Sequence, residues 1–340
     1  MSVFDVRSFL IVFVLALAIT GASTPWFRKT AIALGFVDAP GRRKIHNDPT
    51  PLLGGIAIFA GAILATLFVY GGRIPTQVAG PILAGALVAM IGLVDDRHQL
   101  SPGLRLLVQF IAFLVLIYFG IHVRLPVPDL VNYALTLLWL LGIINAINLL
   151  DNMDGLSAGV SAVAAAFLLL IGAMNNQYLV SALAAALLGA CLGFLRHNFA
   201  PAKIFMGDAG AYFLGFWLAV VGIQLRFPQN VNFVTWMVPV LVLWVPIFDT
   251  TLVVVSRLRR GVHPFTGGHD HLSHRLVARG ATKREAVLAI YLLTGIFGMV
   301  ALFVTQATIL EGYTIGAVVA LLSLYALWYF ERETAPAREQ

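Results

Sequence analysis

Long apolar runs, broken by short clusters of charged, Gly and Pro residues, repeat along the whole chain. Inside hydrocarbon a helix must satisfy its own backbone groups, and it needs about 20 largely apolar residues to cross. Eleven runs fit that description, at roughly 7–25, 53–71, 77–94, 104–121, 131–150, 157–174, 178–195, 209–225, 235–256, 286–305 and 312–330. The pattern predicts an all-α integral membrane protein of about eleven transmembrane helices, forming one polytopic domain over residues 1–340. The first run ends in small residues, Gly21 to Ser23, as a cleaved leader would. At about 19 residues it is long for the apolar part of a leader and is read as a span.

Composition sharpens this reading. Hydrophobic residues make up 60% of the chain and charged residues 11%, with a mean hydropathy of +0.90. Soluble domains carry roughly 25% charged residues, so soluble-enzyme and disordered classes are excluded. The net charge of +6 would suggest nucleic acid in a soluble protein; here it reports topology, and no nucleic-acid partner is expected. Alternating the loops puts 18 of the 22 Lys and Arg on one side and leaves Arg7, Arg73, Arg124 and Arg226 on the other. The positive-inside rule makes the richer side cytoplasmic, with the N-terminus outside, in the cell's inner membrane. The single Cys191 lies in an apolar run and is read as a small hydrophobe.

Carboxylates, amides and imidazoles near hydrocarbon are costly and usually functional. Nearly all of them fall on the predicted cytoplasmic side. Asp95 and Asp96 close the third run; Asn145, Asn148, Asp151 and Asp154 close the fifth at intervals of three, which share a helix face. Asn198, Lys203 and Asp208 follow the seventh in HNFAPAKIFMGDAG, and His269, His271, His274 and Arg275 follow the ninth in GGHDHLSHRL. Each group alone reads as a solvated pair, a polar helix end or a cap. Together they deliver one chemistry to one face. Hard oxygen donors without thiols suit Mg²⁺, with Mn²⁺ as its substitute, and Mg²⁺ commonly completes its shell with water and substrate phosphate. A phosphate-bearing substrate is expected.

The loop at 257–285 holds seven Lys and Arg plus four His, and forms a basic cytoplasmic segment. Arg257, Arg259 and Arg260 are explained by topology alone, but clustered imidazoles are not. A zinc site at His269, His271 and His274 fits no standard spacing. The first cytoplasmic loop carries Arg42, Arg43, Lys44 and His46 beside Pro49, Pro51, Gly54 and Gly55, and its Pro and Gly density predicts a defined backbone path over a bound anion. Asp249, three residues after Pro246 in the ninth run, must face protein or a polar cavity; a structural hydrogen bond and a catalytic role weigh equally.

Five ordered motifs, RKIHNDPTPLLGG (43–55), LVDDRHQLSP, NAINLLDNMDGL, PAKIFMGDAG and HLSHRL (271–276), resemble those of the polyprenyl-phosphate N-acetylhexosamine-1-phosphate transferases. The resemblance implies transfer of an N-acetylhexosamine 1-phosphate from a UDP-sugar to undecaprenyl or another polyprenyl phosphate, releasing UMP and using Mg²⁺. It implies that Asp95, Asp96 and Asp208 are catalytic, one of the Asp95/Asp96 pair engaging or deprotonating the lipid phosphate. It places the metal with Asp208, Asp95 and Asp151. Lys44, His46, Asn145, Asn148, Asp151, Asp154, Asn198, Lys203, Phe205, His271, His274 and Arg275 are implied in substrate binding, Phe205 stacking on uracil and HLSHRL meeting the donor diphosphate or sugar.

Two departures bear on the donor. Ser273 stands where many relatives of the GlcNAc-transferring branch carry a His, and Asn152–Met153 replaces the Gly–Leu typical of the phospho-N-acetylmuramoyl-pentapeptide transferases of peptidoglycan synthesis. UDP-GlcNAc or a related UDP-N-acetylhexosamine is therefore the expected donor, in exopolysaccharide, O-antigen or teichoic acid linkage synthesis. A homodimer is compatible with this reading. The rival from another class is a secondary transporter of an anionic metabolite, whose coupling acids would sit near the midplane of repeated helices.

Overall fold

The computed structural model describes residues 6–38, 50–70, 74–227, 232–264 and 266–332. Apart from one two-stranded pairing, these residues form helices joined by short loops. The chain divides into two compact units, Met1–Arg226 and Phe227–Gln340.

The first unit contains α1 (Val6–Leu34), β1 (Val37–Asp38), β2 (Thr50–Pro51), α2 (Gly54–Tyr70), α3 (Thr76–His98), α4 (Pro102–Tyr118), α5 (Asp129–Leu150), α6 (Leu156–Met174), α7 (Tyr178–Asn198) and α8 (Gly207–Gln224). The second contains α9 (Asn232–Thr235), α10 (Met237–Val242), α11 (Trp244–Arg259), α12 (Leu272–Ala278), α13 (Lys283–Val304) and α14 (Ile309–Arg332). Each of the eleven apolar runs coincides with one of these helices, except the ninth. Among the described residues seven helices are long and apolar enough to cross a membrane: α1, α3, α5, α6, α7, α13 and α14. The chain is an all-α, multi-pass membrane protein.

The ninth run, expected as one span over 235–256, is instead broken into α9, α10 and α11. Pro239 and Pro246 remove backbone N–H groups that a continuous helix would use. Leu243 sits at the junction, donating its N–H to Pro239 O at 3.1 Å and accepting from Ile247 N at 3.2 Å. α1 runs nine residues past its predicted end, carrying Arg28 and Lys29 on its last turns.

In the first unit α8 is the central helix. Every residue from Ala209 to Ile223 is buried, and α2, α3, α5, α6 and α7 all pack on it. Lipid offers no hydrophobic drive to join helices, so small residues that let backbones touch supply van der Waals contact instead. A Cβ added at Gly55 of α2 would stand 2.2 Å from Gly210 N of α8, and one at Gly92 of α3 would stand 2.6 Å from Ala209 Cα. The loops at the α8 N-terminus are held the same way, backbone to backbone. Phe205 N donates to Pro51 O at 2.8 Å, Gly54 N to Phe205 O at 3.0 Å and Gly55 N to Met206 O at 2.9 Å. The TPLLGG segment (50–55) thus forms a short ladder with the IFMGD segment, and β1 pairs antiparallel with β2 beside it.

This packing generates a test with an internal control. Gly55→Ala should lower the melting temperature of the detergent-solubilised protein, overpacking costing about 1–3 kcal/mol. Gly142→Ala in α5, around which nothing lies within 4 Å, should leave the melting temperature unchanged. Equal behaviour of the two variants would show that the α2–α8 approach is not tight.

Candidate functional site

The C-terminal ends of α3, α5 and α7 meet the N-terminus of α8, and the acidic residues of three motifs converge there. Asp96 sets the frame. Its Oδ1 accepts from Asp208 N at 2.7 Å and its Oδ2 from Ala209 N at 3.3 Å. A carboxylate on the first free N–H groups of a helix meets both the unpaired donors and the positive dipole end. Gly207 makes room for it: its φ is +67°, and a Cβ there would stand 2.5 Å from Asp96 Oδ2.

Asp95 faces the other way and is buried, 4% exposed. Leu100 N donates to its Oδ1 at 2.7 Å. The Tyr212 hydroxyl donates to its Oδ2 at 3.0 Å, and Arg105 Nη1 pairs with the same oxygen at 3.1 Å. Arg105 also donates to the Tyr212 hydroxyl at 3.2 Å, closing a triangle. Asp208 lies between the acidic groups, interacting side chain to side chain with Asp95. Asn148 Nδ2 donates to Asp208 Oδ1 at 2.6 Å. The adjacent aspartates are therefore not a solvated pair; each is fixed by a different set of donors.

Asp151, just beyond α5, and Asp154, three residues on, are half-buried, as are Asn148, Asp96 and Asp208. Burial, then the Asp208 and Asp154 carboxylates, push the Asp151 carboxyl up to about 7. Negative charge thus outweighs positive at this rim. Asp154 Oδ2 accepts from Ala202 N at 2.9 Å, tying the loop after α5 to the loop after α7. Asn198, 4% exposed, strengthens that tie: its Oδ1 accepts from Gly155 N at 3.0 Å and its Nδ2 donates to Ile204 O at 2.9 Å. Asn145 is turned elsewhere, its Nδ2 donating to Gln109 Oε1 at 2.9 Å and to Leu141 O at 2.7 Å. Lys203 is exposed, and Phe205 is half-buried with its backbone bonded to Pro51 and Gly54. Lys44 and His46 lie outside the described residues.

The donor set can be weighed against the expected Mg²⁺. Among the described residues no three His, Cys, Asp or Glu side chains form a ready cage. Mg²⁺ asks for less: one or two carboxylates, with water and phosphate completing its shell. Asp208 and Asp151 fit, being hard, half-exposed and mutually repelling. Asp95 fits less well than the sequence suggests, because both its oxygens already accept from Leu100, Tyr212 and Arg105.

In the second unit the GGHDHLSHRL segment is built around ion pairs. Asp270 pairs with Arg257 Nε at 3.0 Å and with Arg260. Burial opposes its charge, yet the Arg257 hydrogen bond and the two guanidinium charges hold it below the usual carboxylate range. Arg275, 6% exposed, donates through Nε to Asp270 O at 2.8 Å, through Nη1 to Phe330 O at 2.6 Å, and through Nη2 to Ser256 Oγ at 3.0 Å and Glu331 Oε1 at 2.8 Å. These contacts occupy four of its five N–H groups, so Arg275 braces the loop. Asp249, 1% exposed, accepts from Leu272 N at 2.7 Å and lies 2.8 Å from His271 Nδ1.

Arg105, Tyr212 and Gln109 are functional-site neighbours that motif reading passes over. Tyr212 was open to inference, since i,i+4 places it on the Asp208 face of α8. Arg105 was not: it lies across a helix junction from Asp95, where no spacing rule applies.

Residues 78–226 match the family described as glycosyl transferase family 4. The chain is 34% identical, over 308 residues covering 88% of it and 86% of the relative, to a probable undecaprenyl-phosphate N-acetylglucosaminyl 1-phosphate transferase of Bacillus subtilis. It is 34% identical over 85% of its length, and 80% of the relative, to a decaprenyl-phosphate N-acetylglucosaminephosphotransferase of Mycolicibacterium smegmatis. An undecaprenyl-phosphate alpha-N-acetylglucosaminyl 1-phosphate transferase of Escherichia coli K12 is 33% identical over 78% of the chain and 75% of the relative. With the acidic cluster gathered at one end of a helical membrane unit, these similarities place the chain in glycosyl transferase family 4, among the polyprenyl-phosphate N-acetylhexosamine-1-phosphate transferases.

Proposed function

We propose that this protein is a phosphoglycosyl transferase that moves GlcNAc 1-phosphate from UDP-GlcNAc to a polyprenyl phosphate, giving polyprenyl-diphosphate-GlcNAc and UMP in cell-envelope polysaccharide synthesis. The observation that carries the reading is the half-exposed rim of Asp96, Asn148, Asp151, Asp154 and Asp208 at one helix end of the first unit. A membrane transferase needs such a rim because its lipid acceptor presents phosphate at headgroup depth. Relatives in three genera carry names for this reaction with GlcNAc and polyprenyl phosphate. The muramoyl-pentapeptide alternative has no such support, and the clustering of the first unit's acids at helix ends argues against a transporter.

An oxygen of the lipid phosphate attacks the phosphorus that bears the sugar, and the bond from that phosphorus to UMP breaks. Both reactants are anions, so positioning and charge stabilisation carry the rate. Bound at Asp208 and Asp151, Mg²⁺ would neutralise phosphate charge as a Lewis acid. Asn148 orients the Asp208 carboxylate, and Asp96 fixes the helix end on which Asp208 sits. Of the aspartate pair, Asp96 is the half-buried member and Asp95 the enclosed one, and either engages the lipid phosphate only by giving up a hydrogen bond it already accepts. Phe205 offers a face for uracil. The active rim faces the cytoplasm, where UDP-sugars are made.

Two measurements follow. Asp208→Asn should leave the melting temperature near that of the parent while removing nearly all Mg²⁺-dependent conversion of radiolabelled UDP-GlcNAc in the presence of polyprenyl phosphate, since an amide supplies no anionic oxygen. Parent-like turnover and Mg²⁺ dependence would refute the assignment. For orientation, Arg124→Cys in a Cys191→Ser background should react with an impermeant maleimide in intact cells, and Arg284→Cys only after the membrane is opened. The reverse pattern would put the rim outside.

A further inference from the structure

Asp95 lies against Asp208, side chain to side chain, yet its surroundings turn it elsewhere. It is 4% exposed, whereas Asp96, Asp151 and Asp208 are half-buried. Leu100 N, from the turn between α3 and α4, donates to Oδ1 at 2.7 Å. Oδ2 has donors from two other helices, the Tyr212 hydroxyl of α8 at 3.0 Å and Arg105 Nη1 of α4 at 3.1 Å. The same Nη1 donates to the Tyr212 hydroxyl at 3.2 Å, so the phenol bridges carboxylate and guanidinium. A carboxylate oxygen offers about two lone pairs, and both on Oδ2 are taken. The guanidinium on that oxygen would also repel a second cation brought to it.

Neither packing nor charge balance requires the Tyr212 hydroxyl. The ring is fully buried on a stretch of α8 otherwise made of apolar residues and glycine. Phe would fill the same space with no hydroxyl to satisfy, and Arg105 alone balances the Asp95 charge. What the hydroxyl adds is direction. Rooted one turn after Asp208 on the same helix, it ties Asp95 Oδ2 to the Arg105 side of the cluster. Such a tie has a use at a Mg²⁺ site, where one or two carboxylates suffice and the remaining positions go to water and substrate phosphate. In the proposed site Asp208 and Asp151 supply two. A third carboxylate would fill a position that a phosphate oxygen needs and cancel more of the ion's charge, weakening it as a Lewis acid.

We infer that Tyr212 is a positioning residue whose hydroxyl, with Arg105, keeps Asp95 out of the divalent ion's ligand set, leaving the ion open to phosphate. Asp95 then serves as a tie between α3, α4 and α8 rather than as a ligand. The inference rests on the proposed transferase reading for what the open positions receive.

The test uses the full-length purified protein with Mn²⁺ in place of Mg²⁺, its binding read by electron paramagnetic resonance without any substrate. Tyr212→Phe keeps the ring and frees one lone pair of Asp95 Oδ2. It should bind Mn²⁺ more tightly than the parent by about tenfold, since affinity rises with the number of charged ligands. Its kcat with UDP-GlcNAc, polyprenyl phosphate and Mg²⁺ should fall by about tenfold. A residue that only supports the fold would loosen the ion or leave it unchanged. In the Asp95→Asn background the Tyr212→Phe change should move Mn²⁺ affinity by less than about twofold, because the carboxylate it releases is gone. Unchanged or weaker Mn²⁺ binding by Tyr212→Phe overturns the proposal, and so does tightening that persists without Asp95. Should Tyr212→Phe fail to fold, Asp95→Asn alone decides: Mn²⁺ affinity within about fivefold of the parent is expected, and a greater loss makes Asp95 a ligand and overturns the proposal. A parent that binds no Mn²⁺ overturns it as well. A parent that binds Mn²⁺ but does not turn over UDP-GlcNAc sinks the transferase reading, and the Mn²⁺ comparison then decides the role of Tyr212 by itself.

Discussion

The acidic site depends on how the first turn of α8 is held. That turn has N–H groups with no partner inside the helix, and Asp96 supplies carboxylate oxygens for two of them across an interval of more than a hundred residues. The contact fixes the axial position of α8 against α3, and with it Asp208. It is also an electrostatic compromise. The helix end and the N–H groups offset only part of the cost of burying Asp96 beside other carboxylates. Close backbone packing at Gly55 and Gly92 brings α2 and α3 near enough for this arrangement. Small residues and carboxylates thus work as one device.

Much of this was legible in the sequence, for reasons that differ by residue. The helices follow from apolar length alone, because backbone satisfaction in hydrocarbon leaves few alternatives. The ninth run misled as a single span because hydropathy does not register Pro239 and Pro246 as breaks. Spacing by three puts Asn145 and Asn148 on one helix face, yet Asn148 meets Asp208 while Asn145, one turn earlier, pairs with Gln109. Periodicity assigns a face; depth along the helix decides which neighbour is met. Asp95 and Asp96 look equivalent as letters. Adjacent helical side chains point in different directions, so one meets Arg105 and Tyr212 and the other the α8 backbone.

The second unit shows why counting cations misjudges a basic loop. The positive charge of 257–285 is partly spent before any ligand arrives. Arg257 and Arg260 neutralise Asp270, and Arg275 meets Glu331. Buried pairs of this kind contribute little net stability, but losing one partner strands the other charge. Their use here is geometric, holding a Gly-rich segment in one shape. Asp249, which the sequence left balanced between structure and chemistry, stands apart because it meets a titratable ring rather than a permanent cation.

The peptide at Gly207 has a consequence for inhibition. Its positive φ and the Asp96 carboxylate, 2.5 Å from where a side chain would begin, exclude every other amino acid without displacing the site. A compound that draws affinity from this backbone would read a feature that substitution at position 207 cannot alter without moving Asp96. Resistance by substitution would have to arise at contacts farther from this peptide.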